Sequence, residues 1–176
     1  RDHIRHALDK KHQTQHLSGL ESIHLTHDAL PELDFNEVKI HAPCLGTELP
    51  TPFFIAGMTA GHKDAQWINE RLAKACAARG WALGLGSMRR MLETHSTPCL
   101  ESWQKLRDKN PTLTIFSNIG ISQVISTPLA KLIALIKTLN ASALVIHTNP
   151  LQECLQSEGT PQFRGALSKL KMLCSE

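Results

Sequence analysis

From Pro52 onward the chain alternates short, unbroken apolar runs with longer stretches in which apolar residues recur every three to four positions. The short runs read as strands covered by other elements and the longer ones as amphipathic helices, so the alternation predicts successive βα units and a parallel sheet. Phe53 to Gly57 is the first predicted strand and Asp64 to Arg79 its helix, with Ile68, Leu72, Ala75 and Cys76 on one face and Gly80 as the stop. Trp81 to Gly86 is the second strand, followed by a helix over Pro98 to Arg107 whose proline suits a first turn. Leu113 to Ser117 is the third strand, followed by a strongly amphipathic helix over Pro128 to Leu139. Ala143 to His147 is the fourth strand, and Phe163 to Leu173 the last helix. The first 51 residues are less regular. An amphipathic opening (Ile4, Ala7, Leu8) gives way to polar sequence punctuated by Pro31, Pro43, Pro50 and Pro52, predicting a helix and an extended cover over 1–51 ahead of four βα units over 52–176, all in a single domain.

Composition narrows the class without naming a function. With 176 residues and 41% hydrophobic content the chain can build one ordinary core. No apolar run approaches the ~18 residues of a membrane span, and the charged, His-rich opening is unlike a signal peptide, so no membrane partner is expected. Five cysteines, an odd number with no CxxC pair, suggest neither a disulfide framework nor a cysteine zinc site, and a reducing cytoplasm is the expected location. The net charge of +3 suits anionic small substrates and argues against nucleic acid. Seven of the ten histidines lie in the first 41 residues, and His12 and His16 have i,i+4 spacing, which supports a rival reading as a metal-binding module. No cysteine or carboxylate completes a recognisable ligand set there.

Polar residues follow every predicted strand: Met58 and Thr59, then Ser87 and Arg89, then Asn118, then His147 and Asn149. In an open doubly wound sheet the ligand crevice lies at one switch point, whereas in a (β/α)8 barrel every strand end contributes. This favours a TIM-barrel α/β fold with about four units present, half of the roughly 250 residues a whole barrel needs.

The densest polar segment is Ile146 to Gly159, IHTNPLQECLQSEG, directly after the fourth strand. His147, Asn149, Gln152, Glu153, Glu158 and Gly159 resemble the corresponding stretch of the FMN-dependent type 2 isopentenyl-diphosphate isomerases, with Thr148 where that family usually has Leu. The resemblance recurs at each strand end, in order. Met58-Thr59-Ala60-Gly61 is similar to the family's Met-Thr-Gly-Gly, with Ala60 for the first Gly. Gly84-Leu85-Gly86-Ser87-Met88-Arg89 is similar to Gly-x-Gly-Ser-Gln-Arg, with Met88 for Gln, and Asn118-Ile119-Gly120 to Asn-x-Gly. Arg1-Asp2-His3-Ile4 looks like the tail of a motif whose leading Arg and Lys would precede this chain.

The resemblance implies isomerisation of isopentenyl diphosphate to dimethylallyl diphosphate by reduced FMN, with Mg²⁺ on the diphosphate and NAD(P)H as reductant. It implies FMN contacts from Met58, Thr59, Ser87 and Asn118, and substrate contacts from Arg89, His147, Asn149 and Gln152. Glu153 becomes the Mg²⁺ ligand, while Gln152 and His147 lie nearest the chemistry. An amide is not a strong acid, so Gln152 is expected to position the olefin and at most relay a proton. A forked guanidinium at Arg89 suits a diphosphate. The resemblance covers only the amino-terminal half of the family's length, so a fragment, or a half-barrel that associates with a copy of itself as a homo-oligomer, is expected. Two rivals stand beside the isomerase: a non-catalytic half-barrel of the same family, and another FMN-dependent barrel oxidoreductase.

Overall fold

The computed structural model describes residues 2–13, 18–93 and 97–176. Helix α1 (Asp2–Leu8) is followed by 3-10 turns and then by a hairpin of strands β1 (Ala42–Cys44) and β2 (Thr47–Leu49), antiparallel with Ala42 opposite Leu49. Its two-residue turn, Leu45-Gly46, has φ of 49° and 77°, the left-handed pair that matches the twist of flanking strands. Leucine is an uncommon residue for that conformation, so the sequence carries no hairpin signal there.

The remainder alternates as the periodicity requires. Strand β3 (Phe54–Ile55) leads to α2 (Ala65–Arg79), β4 (Ala82–Gly84) to α3 (Arg89–Glu93) and α4 (Thr97–Lys109), β5 (Ile115–Gly120) to α5 (Ile121–Ser126) and α6 (Leu129–Thr138), and β6 (Ala143–His147) to α7 (Pro150–Leu155) and α8 (Ala166–Cys174). The four strands form one parallel sheet in the order β3-β4-β5-β6. Gly80, at φ 66°, ends α2 as expected, and its amide caps the carbonyl of Cys76. Of the predicted face of α2, Cys76 is buried and Leu72 packs against the core, while Ala75 is exposed and Asn69 and Ala73 are buried as well.

The two faces of the sheet differ. Leu83, Ile115 and Leu144 pack with Ala73 and Cys76 of α2, Trp103 and Leu106 of α4, and Leu135 of α6 in the main core. Ile119 and Ile146 continue that face against Val124 of α5 and Leu170 of α8. Side chains alternate along a strand, so Ala82, Phe116 and Ala143 point the other way, where Leu49 and Cys44 of the hairpin cover them. Beyond the hairpin that second face carries exposed apolar groups, Phe54 at 59% and Val145 at 43%.

The TIM-barrel expectation is corrected by this architecture. The chain is a small α/β domain with an open four-stranded parallel sheet and a separate two-stranded antiparallel sheet, not half of a (β/α)8 barrel. The physical reason is that polar residues at all four strand ends do not discriminate: every parallel sheet lines up its carboxyl ends along one edge, closed or not. Closure would require a first and last strand to pair, and β3 and β6 each pair with a single neighbour.

At the opposite end of the sheet Arg107 acts as a collector of carbonyls. Its guanidinium donates to the oxygens of Leu139 (3.0 Å), Asn110 (3.2 Å), Pro111 (3.2 Å), Leu113 (2.7 Å) and Asn140 (3.0 Å). These carbonyls belong to the segments that enter β5 and β6, where no helix or strand partner is available, and burial lowers the arginine's pKa.

Candidate functional site

The carboxyl ends of β4, β5 and β6 meet along one edge. Asn118 lies inside β5 rather than beyond it, since the strand runs three residues past its predicted end and pairs Asn118 with Val145, Ile119 with Ile146 and Gly120 with His147. That register places the Asn118 Oδ1 2.8 Å from His147 Nδ1. An amide oxygen only accepts, so Nδ1 carries the shared proton. His147 is half-buried. Its burial lowers the pKa, and the negative charge of Glu153 partly offsets that shift.

Helix α7 starts immediately after β6 with Pro150 at its first position, where a missing N–H costs nothing. One turn therefore carries Asn149, Gln152 and Glu153 to the same edge. Glu153 is 9% exposed and accepts from the Thr160 amide at 2.7 Å, which fixes one carboxylate oxygen and leaves the other available. The Asn149 side chain does not cap α7, and its Oδ1 is buried without a hydrogen-bond partner among the described residues. Gly159 has a steric reason: a Cβ there would collide with the backbone carbonyl of Glu153, so only glycine lets the loop fold back to bring Thr160 to the carboxylate.

Arg89 ties the β4 end to that loop, donating from Nη1 to the Glu158 carbonyl at 2.9 Å, while its own amide meets Ser87 Oγ at 3.4 Å. The Glu158 carboxyl is held below its ordinary pKa chiefly by the Ser157 hydroxyl, with Arg89 adding a smaller attraction. At β3, Thr59 is buried and its hydroxyl donates to Asn69 Oδ1 at 2.6 Å, so its proton is turned inward, while Met58 is exposed. The glycines of this region serve loop packing: a Cβ on Gly57 would collide with the Leu85 carbonyl, and one on Gly86 would lie 2.5 Å from the Ala60 amide nitrogen.

Of the residues expected from sequence, Asn118, His147, Asn149, Gln152 and Glu153 thus share one edge across β5, β6 and α7, and Ser87 and Arg89 join it through Glu158. Met58 and Thr59 stand at the end of β3, with Thr59 committed to α2. Sequence reasoning missed Asn69, Thr160 and Gln123. The last is 7% exposed and lies against Gly120, and an amide among apolar Ile121, Val124 and Ile125 was the available signal.

The chemistry of the donor set is that of hard oxygens. A carboxylate with one free oxygen and an orphaned amide oxygen suit Mg²⁺, which takes few protein ligands and completes its shell with water and phosphate. Among the described residues no three His, Cys, Asp or Glu side chains are arranged to hold a metal ion by themselves. In the histidine-rich opening, His6 and His12 bring their Nδ1 atoms to 3.3 Å, while His16 and Arg1 lie outside the described residues. A cavity of about 830 Å³ between α1 and the start of α2, lined by Ile4, Leu8, Trp67 and Ile68 with Arg5 and Lys63, contains none of the candidate residues. Among the described residues no helix is long and apolar enough to cross a membrane.

No family model matches the chain. It is similar to proteins named isopentenyl-diphosphate delta-isomerase: 45% identical over 173 residues to one from Legionella pneumophila (strain Corby), covering 98% of this chain and 50% of the relative. Identity is 44% to one from Bdellovibrio bacteriovorus, again with 98% and 50% covered, and 37% to one from Thermococcus kodakarensis, with 99% and 48% covered. The chain spans about half the length of the curated relatives it matches. Over that half it is a homologue of proteins named isopentenyl-diphosphate delta-isomerase.

Proposed function

We propose that this chain carries part of the active site of an isopentenyl-diphosphate isomerase of the flavin-dependent, type 2 kind, converting isopentenyl diphosphate to dimethylallyl diphosphate. The observation that supports it best is the edge formed by Asn118, His147 and Glu153, in which the amide and the imidazole are bonded to each other and the buried carboxylate is held by the Thr160 amide. The similarity of nearly the whole chain to proteins named isopentenyl-diphosphate delta-isomerase supports that choice of substrate.

In this reading Glu153, with Asn149 one helical turn before it, would hold Mg²⁺ for the diphosphate, and Arg89 would add a planar cation at the same edge. The exposed backbone at Ala56 to Met58, with Ser87 and the outward face of the Asn118 amide, fits a flat flavin ring. Reduced FMN, kept reduced by NAD(P)H, would supply the acid-base chemistry of a 1,3-proton shift. Gln152, on the first turn of α7, would orient the olefin, a task for an amide that neither gains nor loses a proton readily.

The test is conversion of isopentenyl diphosphate by the protein containing this chain, with reduced FMN and Mg²⁺. Glu153→Gln should lower turnover by ~10²-fold or more at saturating substrate and weaken the response to Mg²⁺, as loss of a metal-ligating charge does. An enzyme indifferent to that substitution, or one that consumes reducing equivalents in proportion to product, would overturn the reading.

A further inference from the structure

We propose that Asn69 is a positioning residue for the loop that meets the flavin, holding residues 56–61 in place through the Thr59 hydroxyl and not touching the cofactor itself. The inference rests on the reading of that loop as a flavin contact.

Asn69 stands more than a turn inside α2, past the positions that cap a helix, and is buried along with Ala73 and Cys76. Asparagine is a poorer helix former than alanine or leucine, and a buried amide needs a partner that an apolar side chain would not. It has one in the preceding loop. Asn69 is 6% exposed and Thr59 8%, and the Thr59 hydroxyl donates to Asn69 Oδ1 at 2.6 Å. An apolar contact would hold the loop at the same depth, whereas a hydrogen bond also fixes its direction.

The loop needs this tie because its strand pairing runs out before it. Strand β3 meets β4 with Phe54 opposite Ala82 and Ile55 opposite Leu83, and the next three residues, Ala56, Gly57 and Met58, are exposed. Thr59 is where the chain turns back into the protein. The effect of the bond extends past its own loop. A Cβ on Gly57 would collide with the Leu85 carbonyl, and one on Gly86 would lie 2.5 Å from the Ala60 nitrogen. Backbone lies on backbone at both points, so no flexible side chain is there to absorb a shift. Beyond them the Met88 amide donates to the Asn118 carbonyl at 2.8 Å. A displacement of Thr59 is therefore passed to residues 84–88, which carry Ser87, and on toward the end of β5.

The deciding experiment is FMN titration of the protein containing this chain, followed by flavin fluorescence and absorbance, with urea curves showing that each variant is folded under the assay conditions. Asn69→Leu removes the acceptor and should weaken FMN binding about tenfold or more and shift the absorption band of the bound flavin. Asn69→Asp keeps an acceptor oxygen and should bind within about threefold of wild type. Thr59→Val should weaken binding as well, and adding Asn69→Leu to it should cost nothing further, because the two residues share one bond. Unchanged affinity and spectrum in folded Asn69→Leu overturn the proposal, as do losses that add in the double variant. Should Asn69→Leu not fold, Asn69→Ser, too short to reach Thr59, takes its place in both comparisons. A wild type that binds no FMN sinks the flavin reading and this inference with it, whereas normal binding that ignores Asn69 sinks this inference alone.

Discussion

The two ends of the parallel sheet are built from the same materials and do opposite things with them. At the entering end, Arg107 gathers five main-chain carbonyls, and its own charge and their lone pairs are satisfied together. At the leaving end, the polar side chains are bonded on one side only: Asn118 through Oδ1, His147 through Nδ1, Glu153 through Oε2, with Asn149 Oδ1 buried and unbonded. Saturated polar clusters fix structure, whereas half-saturated ones hold capacity in reserve for something that is not polypeptide. The difference sets a structural arginine apart from the amides and carboxylate proposed to meet a ligand.

The comparison is broken most forcefully at the entering end. Arg107→Ala removes the arginine donors from all five carbonyls, of which only that of Asn110 keeps another, the Leu113 amide, and loss of charged hydrogen bonds of this kind should cost on the order of 3 kcal/mol or more. For a domain of this size that corresponds to a fall in Tm of roughly 10 °C. Arg107→Lys, which keeps the charge but not the planar fork, should recover only part of it. Urea unfolding of the two variants checks both, and equal stability of wild type and Arg107→Ala would remove the distinction drawn between the ends.

A smaller effect sharpens the other side. In Gly159→Ala the added methyl group meets the Glu153 carbonyl, so the loop must move and the Thr160 amide must leave the carboxylate. Overpacking of this sort costs about 1–3 kcal/mol. Its diagnostic feature is that it should also alter Mg²⁺ dependence, whereas Arg107→Lys should lower stability and leave the Mg²⁺ response as it was. Thermal melts with and without Mg²⁺ separate the two outcomes.

How far these ends could be read in the sequence differs as well. The βα alternation was legible because apolar period is a direct record of burial: α2, α4, α6 and β6 stand where the pattern puts them, and Gly80 ends α2. The leaving edge was legible because polar residues directly after apolar runs have few places to go. Sheet closure was not legible, since it depends on pairing between distant strands that no local pattern encodes, and an open sheet displays the same strand-end residues. The role of Arg107 was hidden because its partners are carbonyls, which every residue has. Thr59 reads as a site residue by its neighbours, yet its hydroxyl belongs to Asn69. Helices α3, α5 and α7 are each five or six residues long, too short for periodicity to speak.

The mildest test uses pH. His147 has a folded pKa depressed below its ordinary value of 6.5, mainly by burial. Between that depressed value and 6.5 the unfolded chain binds a proton that the folded chain refuses, so acidification through this window favours unfolding. Stability contributed by the neutral imidazole is therefore full above about 6.5 and declines as pH falls toward the folded pKa. Urea midpoints at pH 7.5 and 5.5 should differ in that direction, and the difference should shrink in His147→Asn, which has no ring to protonate. Protonation would also put a positive charge on the half-buried ring, and so load the leaving edge, while Arg107, charged throughout this range, keeps its five carbonyls. Loss of secondary structure should therefore trail loss of order around His147 as pH falls. Simultaneous loss at both ends would show that the edge is as rigidly built as the clamp and that its half-satisfied groups hold nothing in reserve.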